Sequence, residues 1–363
     1  MRLHPEELAL ARSYCRETPL NGLSRDQMKV ILDRGRVLFH WFKDHQALHF
    51  LISLSTLALI FSADFAILLV MPQWLVSPGA SSSQVTLIAS ALLTGALHSW
   101  LMYSLTVFSM HEGAAHGIVF PHDDPASRFL NLLASNLCRV AAAEPYNYAV
   151  HHMSHHAKFG AEEDGEFLNF VRPRRYWLTL LPYAAIINYS DFLAHRPLSY
   201  TPSRVLSAVV ALVYHGAFGY VMTRAFGLEF TLIALALFTP HVGFYLDRLR
   251  QFTEHNLMPL ENKDGSRSFG LGFWGMLIGG GPWGSPCHWE HHLVASLPWY
   301  QQLILHRDLK RILTPAQRKQ YLLEPVIGYP LLLWRLLREP AQFERRMRAI
   351  RNVPDAHGST AAV

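Results

Sequence analysis

Long apolar blocks separated by polar, mostly basic connections dominate this chain. Residues 1–47 are polar and carry Arg12, Arg16, Arg25, Lys29, Arg34, Arg36 and Lys43. Within them Ser24–Asp44 has helix-like spacing and predicts a helix leading along a membrane surface into the first block. Leu48–Val70 is long enough to cross a hydrocarbon core of ~30 Å. Asp64 interrupts it; an acid inside a span is costly and either serves function or faces a protein-lined polar pocket. An uncharged link, Pro72–Ser83, leads to a second span, Gln84–Met110. Arg128–Val150 is broken by Asn131, Asn136, Arg139, Glu144 and Pro145 and predicts a helix in the interface, as does the short block Tyr176–Tyr189. Ser203–Met222 and Leu228–Tyr245 are the third and fourth spans, joined by a tight turn at Arg224–Gly227. From Asp247 the chain is polar again apart from the Gly-rich Phe269–Gly284, and the tail from His306 is basic with a helical pattern that fades over its last residues.

The fold expected is all-α and integral to a membrane: four transmembrane helices, interfacial helices and a histidine-rich cap. The expected division is an N-terminal segment (1–47), a four-span catalytic unit (48–300) and a helical tail (301–363). No repeat of solenoid length is present.

Composition agrees, with 50% hydrophobic and only 16% charged residues among 363. The net charge of +5 does not call for nucleic acid, because Lys and Arg flank apolar spans instead of striping a soluble face. Of 32 Lys and Arg, only Arg224 falls in a far-side loop, so the positive-inside rule puts both termini and all histidine clusters in the cytoplasm. Cys15, Cys138 and Cys287 are far apart and form no metal or redox motif. Met1–Asn21 lacks a continuous apolar region, so no secretory signal is expected there.

Three histidine clusters carry the chemistry. His111-Glu112-Gly113-Ala114-Ala115-His116 follows the second span; His152-Met153-Ser154-His155-His156 and His288-Trp289-Glu290-His291-His292 share an H-x-x-H-H spacing. On a helix, positions i, i+3 and i+4 share a face, so the three imidazoles of each box can point at one spot. His151 competes with His152, and the spacing favours His152. The first cluster is not a zinc-protease H-E-x-x-H, because residues five apart lie about 140° round an ideal helix. Such a pair needs a helix end or a neighbouring helix. With His255 in Glu254-His255-Asn256, nine imidazoles are available. A structural zinc takes four ligands, so nine suit two metals with open positions, and imidazole serves iron, copper, nickel or zinc. Histidines scattered on a polar cap would not repeat H-x-x-H-H. By contrast His40, His45 and His49 read as interfacial, and His98, His215 and His241 as hydrogen-bonded span residues, with His98 and Asp64 lining a substrate channel if their spans face one.

The set H-x4-H, H-x-x-H-H and H-x-x-H-H with a lone intervening histidine resembles the membrane fatty acid desaturase superfamily of non-haem di-iron enzymes, over roughly His98 to His306. The string His291–Tyr300 (HHLVASLPWY) and Asp164 after the second box belong to the same resemblance. It implies two irons, O2 as co-substrate and oxidation of an unactivated lipid C–H bond. The implied ligands are His111, His116, His152, His155, His156, His255, His288, His291 and His292. Glu112, Glu254, Glu290, Asp164 and Asn256 stand where acceptors would orient ligand N–H groups. No haem-binding His-Pro-Gly-Gly and no Cys motif is present, so electrons would come from a separate ferredoxin, rubredoxin or cytochrome b5 type donor. Arg172, Arg174, Arg175, Lys310 and Arg311 suit an acidic donor or anionic membrane lipid equally.

Desaturation of a fatty-acyl chain is the leading reading. A hydroxylase or ketolase acting on an acyl chain, alkane or carotenoid keeps the same irons. A zinc-containing membrane hydrolase or receptor is the alternative from another class, and it leaves several of the nine histidines idle. The site would be the plasma or inner membrane of a bacterium or the endoplasmic reticulum of a eukaryote.

Overall fold

The computed structural model describes residues 23–75, 83–121, 124–137, 145–158, 201–255, 258, 265–323 and 328–334. Among these the chain is helical and contains no strand, only an isolated bridge between Ser268 and Leu322. Three helices are long and apolar enough to cross a membrane: Gln46–Leu75, Gln84–Ala115 and Val205–Phe226. Their outward faces expose large apolar side chains, Leu51, Leu59, Leu212 and Val213 among them. An aqueous surface does not tolerate so continuous an apolar belt.

Helix α1 (Arg25–Asp44) starts at a capping box in which Ser24 and Gln27 satisfy each other's backbone N–H groups. It ends at His45, where the chain turns into α2 (Gln46–Leu75). Helix α3 (Gln84–Ala115) is capped by Ser83. Helices α4 (Pro125–Leu137) and α5 (Pro145–Ala157) follow, then α6 (Pro202–Phe226). After Gly227, whose φ of +90° suits glycine, Leu228–Thr231, a π turn at Leu232–Phe238 and Thr239–His255 run on as one helix, α7. Short helices α8 (Phe273–Leu277) and α9 (His288–Leu293), then α10 (Trp299–Ile312) and α11 (Pro315–Tyr321), complete the histidine end.

Inside the bundle α3 is central. Gly95 lets α7 approach so closely that a Cβ there would sit 2.7 Å from the Ala234 carbonyl oxygen, and Ser99 Oγ accepts the Gly243 N–H at 2.7 Å. Phe61 and Phe65 of α2 meet Tyr214 and Phe218 of α6 edge-on.

Within the segment expected to be one interfacial helix the structure describes two, Pro125–Leu137 and Pro145–Ala157, and two of the residues that broke its apolar pattern, Asn131 and Asn136, are buried partners. The Asn131 amide takes the Phe120 N–H and returns a hydrogen bond to the Phe120 carbonyl. Ser135 donates to the Ser109 carbonyl at 2.6 Å, and Asn136 to Ser207 at 2.8 Å. Polar groups removed from water must be paired, and here they are. Tyr176–Tyr189 and Arg172–Arg175 lie outside the described residues.

At the histidine end α1 covers the third box. Ile31 and Leu38 pack with Trp289, Leu293, Leu297, Leu305 and Leu309, while Trp289 stacks on Tyr321 at 4.3 Å. The Gly-rich strap before α9 is held by α3: Trp100 and Tyr103 donate to the carbonyls of Leu277 and Ile278 at 3.0 and 2.6 Å, and Ser104 to that of Gly280.

Candidate metal centre

The first cluster is formed by a departure from α geometry. The last turns of α3, Val107–Ala115, are a π-helix, and the His116 N–H donates to the His111 carbonyl five residues back at 3.2 Å. That wider turn brings i and i+5 to one face, and the two rings lie 5.2 Å apart.

The nine histidines gather in two adjoining groups. In the first, His111, His116, His152, His156 and His291 each offer a ring nitrogen, all within 4.8 Å of one another. In the second, His155, His255 and His292 meet the same limit, and His288 joins through its Nε2, 2.8 Å from that of His255 and 3.0 Å from that of His292. The His156 and His292 rings, 4.7 Å apart, form the common wall.

The expectation that all three imidazoles of an H-x-x-H-H box meet at one spot is therefore corrected. Each box sends its i, i+4 pair to one group and its i+3 histidine to the other. The pair from α5, His152 and His156, goes to the first group and His155 to the second; the pair from α9, His288 and His292, goes to the second and His291 to the first. Successive residues are 100° apart, so i+3 and i+4 point to different sides of the helix. A helix standing between two sites serves both.

The donor set fits metal ions. His111 Nε2 and His116 Nε2 are buried without a hydrogen-bond partner, a cost that a cation relieves. Burial holds the His116 imidazole down to about 4. Burial, then the neighbouring imidazoles, puts His152, His288, His291 and His292 well below the ordinary histidine range. These rings are neutral at pH 7, the form that ligates.

Three of the nitrogens facing away from the groups have partners. His111 Nδ1 meets Glu112 Oε1 at 3.0 Å, and Gln302 donates to the same oxygen at 3.2 Å. His255 Nδ1 meets the Gly265 carbonyl at 3.0 Å, and His288 Nδ1 the Ser285 hydroxyl at 3.2 Å. Such partners orient ligand rings and leave Nε2 for the metal.

Glu254, expected as an acceptor, lies 3.5 Å from His288 Nε2 and is paired with Arg250 at 2.8 Å. Glu290 faces away from both groups: His306 donates to it at 2.6 Å and Ser268 hydrogen-bonds its other oxygen. Cys287 is near this pair, but both Glu290 oxygens are already satisfied, and the network pins α9. Asp164 and Asn256 lie outside the described residues, as does the His241 side chain.

Sequence reasoning missed Gln302 and Ser285, since amide and hydroxyl residues carry no spacing signal, and His306, which stands outside the three boxes. It also misplaced His49, which is 2% exposed and contacts the Ile118 carbonyl and, at 3.2 Å, the Tyr300 hydroxyl. His40 and His45 are exposed as expected. His98 is a hydrogen-bonded span residue, with its Nδ1 2.6 Å from Asp64.

A family model described as fatty acid desaturase matches residues 83–323, which includes every histidine of both groups. The chain belongs to the fatty acid desaturase family. No curated protein matches it. Membership makes this desaturase-family chain an oxidoreductase with a lipid substrate in a membrane setting, and its histidine clusters a metal centre.

Proposed function

We propose that the protein is an O2-dependent di-iron oxidase of an unactivated lipid C–H bond, most simply a desaturase of fatty-acyl chains. The observation that carries this reading is the sorting of nine imidazoles into two adjoining groups of five and four. One zinc would occupy at most one group; two irons occupy both. His111, His116, His152, His156 and His291 hold one iron, and His155, His255, His288 and His292 the other.

When bound, the iron pair supplies the oxidant, made from O2 with electrons from a donor. In desaturation two hydrogens leave the chain with two electrons. Two more electrons come from a separate ferredoxin, rubredoxin or cytochrome b5 type protein, two protons are taken up, and O2 becomes two waters. The residues do the positioning. The Gly265 carbonyl holds His255 with Nδ1 protonated, and Glu112 and Ser285 orient the rings of His111 and His288. The α1 layer over α9 keeps bulk water off the third box.

Leu228–Tyr245 in α7, alongside α3, is read as the fourth span, with both termini and the histidine end cytoplasmic by the charge bias of the loops. Residues 48–300 form the catalytic unit, flanked by the segments 1–47 and 301–363.

Lipid mass spectrometry on membranes containing the wild type or His291→Ala tests the reading. A product lighter by two hydrogens, absent from the variant, is expected. A product heavier by one oxygen would move the assignment to a hydroxylase or ketolase. Purified protein carrying zinc and no iron would overturn the di-iron reading.

A further inference from the structure

On the wall of the first histidine group, two buried polar atoms have no hydrogen-bond partner among the described residues: Nδ1 of His291 and Oε2 of Glu112. They belong to neighbouring side chains, and neither side chain reaches solvent, with His291 0% and Glu112 1% exposed. His291 Nδ1 stands 3.9 Å from the other Glu112 oxygen, Oε1. That oxygen already meets His111 Nδ1 at 3.0 Å and accepts from the Gln302 amide at 3.2 Å. The His111 and His291 rings lie 4.2 Å apart. One carboxyl group thus faces the outward nitrogens of two histidines, one from α3 and one from α9.

The two unmatched atoms complement each other. His291 Nε2 points into the group, 2.8 Å from that of His156, and His111 Nε2 is buried there without a partner. A neutral imidazole that gives Nε2 to a metal carries its proton on Nδ1. Both rings then turn an N–H toward Glu112, and a buried donor without an acceptor is destabilising. A carboxylate accepts on both oxygens, and only Oε1 is in use. The gap of 3.9 Å is longer than a hydrogen bond, but the last torsion of a glutamate is soft. A turn about it divides the oxygens, Oε1 to His111 and Oε2 to His291. Glutamine could not do this, because its amide has one accepting oxygen and its NH2 would face the other ring. That ring would have to keep its proton on Nε2, the nitrogen the metal needs.

We propose that Glu112 is a positioning residue shared by two ligands: its carboxylate accepts from Nδ1 of His111 in the first box and from Nδ1 of His291 in the third, and so clamps α3 and α9 to the same metal. Gln302, donating from α10, holds the clamp in place. The second group is supported one ring at a time, His255 by the Gly265 carbonyl and His288 by the Ser285 hydroxyl. This rests on the reading of His111 and His291 as ligands of one metal.

The test is solid-state NMR on zinc-loaded protein in nanodiscs, isotope-labelled in the glutamate carboxyls and the histidine rings, which requires no turnover. Dipolar dephasing counts the ring nitrogens in hydrogen-bond contact with a glutamate carboxyl, and the difference between the wild type and Glu112→Gln gives those that belong to Glu112. Two protonated ring nitrogens are expected in that difference, and in the variant one ring should move its proton from Nδ1 to Nε2. The Glu290–His306 contact should survive in both samples and shows that the histidine end is folded. If Glu112→Gln loses that contact, the count is taken from His291→Gln, which removes one Glu112 contact if the carboxylate is shared and none if it is not. A single nitrogen in the difference, or a His291 Nδ1 separated from the carboxyl by a water, would overturn the proposal. Zinc content is read separately: a wild type that leaves the first group empty would overturn the ligand reading, whereas a filled group with one contact would overturn the clamp alone.

Discussion

The two histidine groups draw on the same two H-x-x-H-H boxes but are supported differently. In the first, the buried carboxylate of Glu112 holds His111 and is itself held by Gln302. In the second, the orienting partners are a backbone carbonyl and a hydroxyl, while the nearby acid, Glu254, lies among the ligand atoms with Arg250 on it. A buried carboxyl group that is itself hydrogen-bonded and a backbone carbonyl or hydroxyl are different supports for an imidazole. The two histidine groups are therefore inequivalent, although the boxes look alike in sequence.

The largest effects separate the groups outright. His116→Ala and His288→Ala should each drop metal content from two per chain to about one and bring activity to background, as measured by elemental analysis and product formation. Loss of both metals from either variant would mean that the groups form a single site. Next, Glu112→Gln should weaken metal binding at the first group by about 10–100-fold, whereas Ser285→Ala should weaken the second by less than about tenfold; chelator competition reads both. Gln302→Leu, which touches only the carboxylate, should cost no more than a few-fold in the same assay.

The smallest effect is a pH dependence of the metal-free protein. Folded His116 sits at about 4, and His152, His288, His291 and His292 are also depressed, against 6.5 for a free imidazole. Below pH 6.5 the unfolded chain takes up protons that the folded chain refuses, so stability falls as pH falls from there toward 4. Above about pH 7 these rings are neutral in both states and contribute no further slope. A melting temperature that instead rises on acidification would show that the rings are charged in the fold.

Much of the candidate centre was legible because its histidines stand in spaced clusters next to apolar blocks, and both features are local. What was not legible depended on backbone geometry or on residues distant in sequence. Nothing in His111–His116 marks a π turn, so the ideal spacing argued against that pair sharing a face. Asn131 and Asn136 looked like breaks toward an interface because their partners, the Phe120 backbone and Ser207, come from other segments. Gln302 is 190 residues from the carboxylate it holds, and no spacing rule reaches that far.

The sequence by itself determined a helical membrane protein of the desaturase family with three histidine boxes, since apolar blocks and ligand spacing are properties of short stretches. The division of each box between two histidine groups was decided only by the tertiary structure. A helix presents i+3 and i+4 in different directions, and which of them meets a neighbour's histidine depends on where the other helices stand. The pairing of Asp64 with His98 in the bundle was decided in the same way, by the packing of spans that the sequence shows only one at a time.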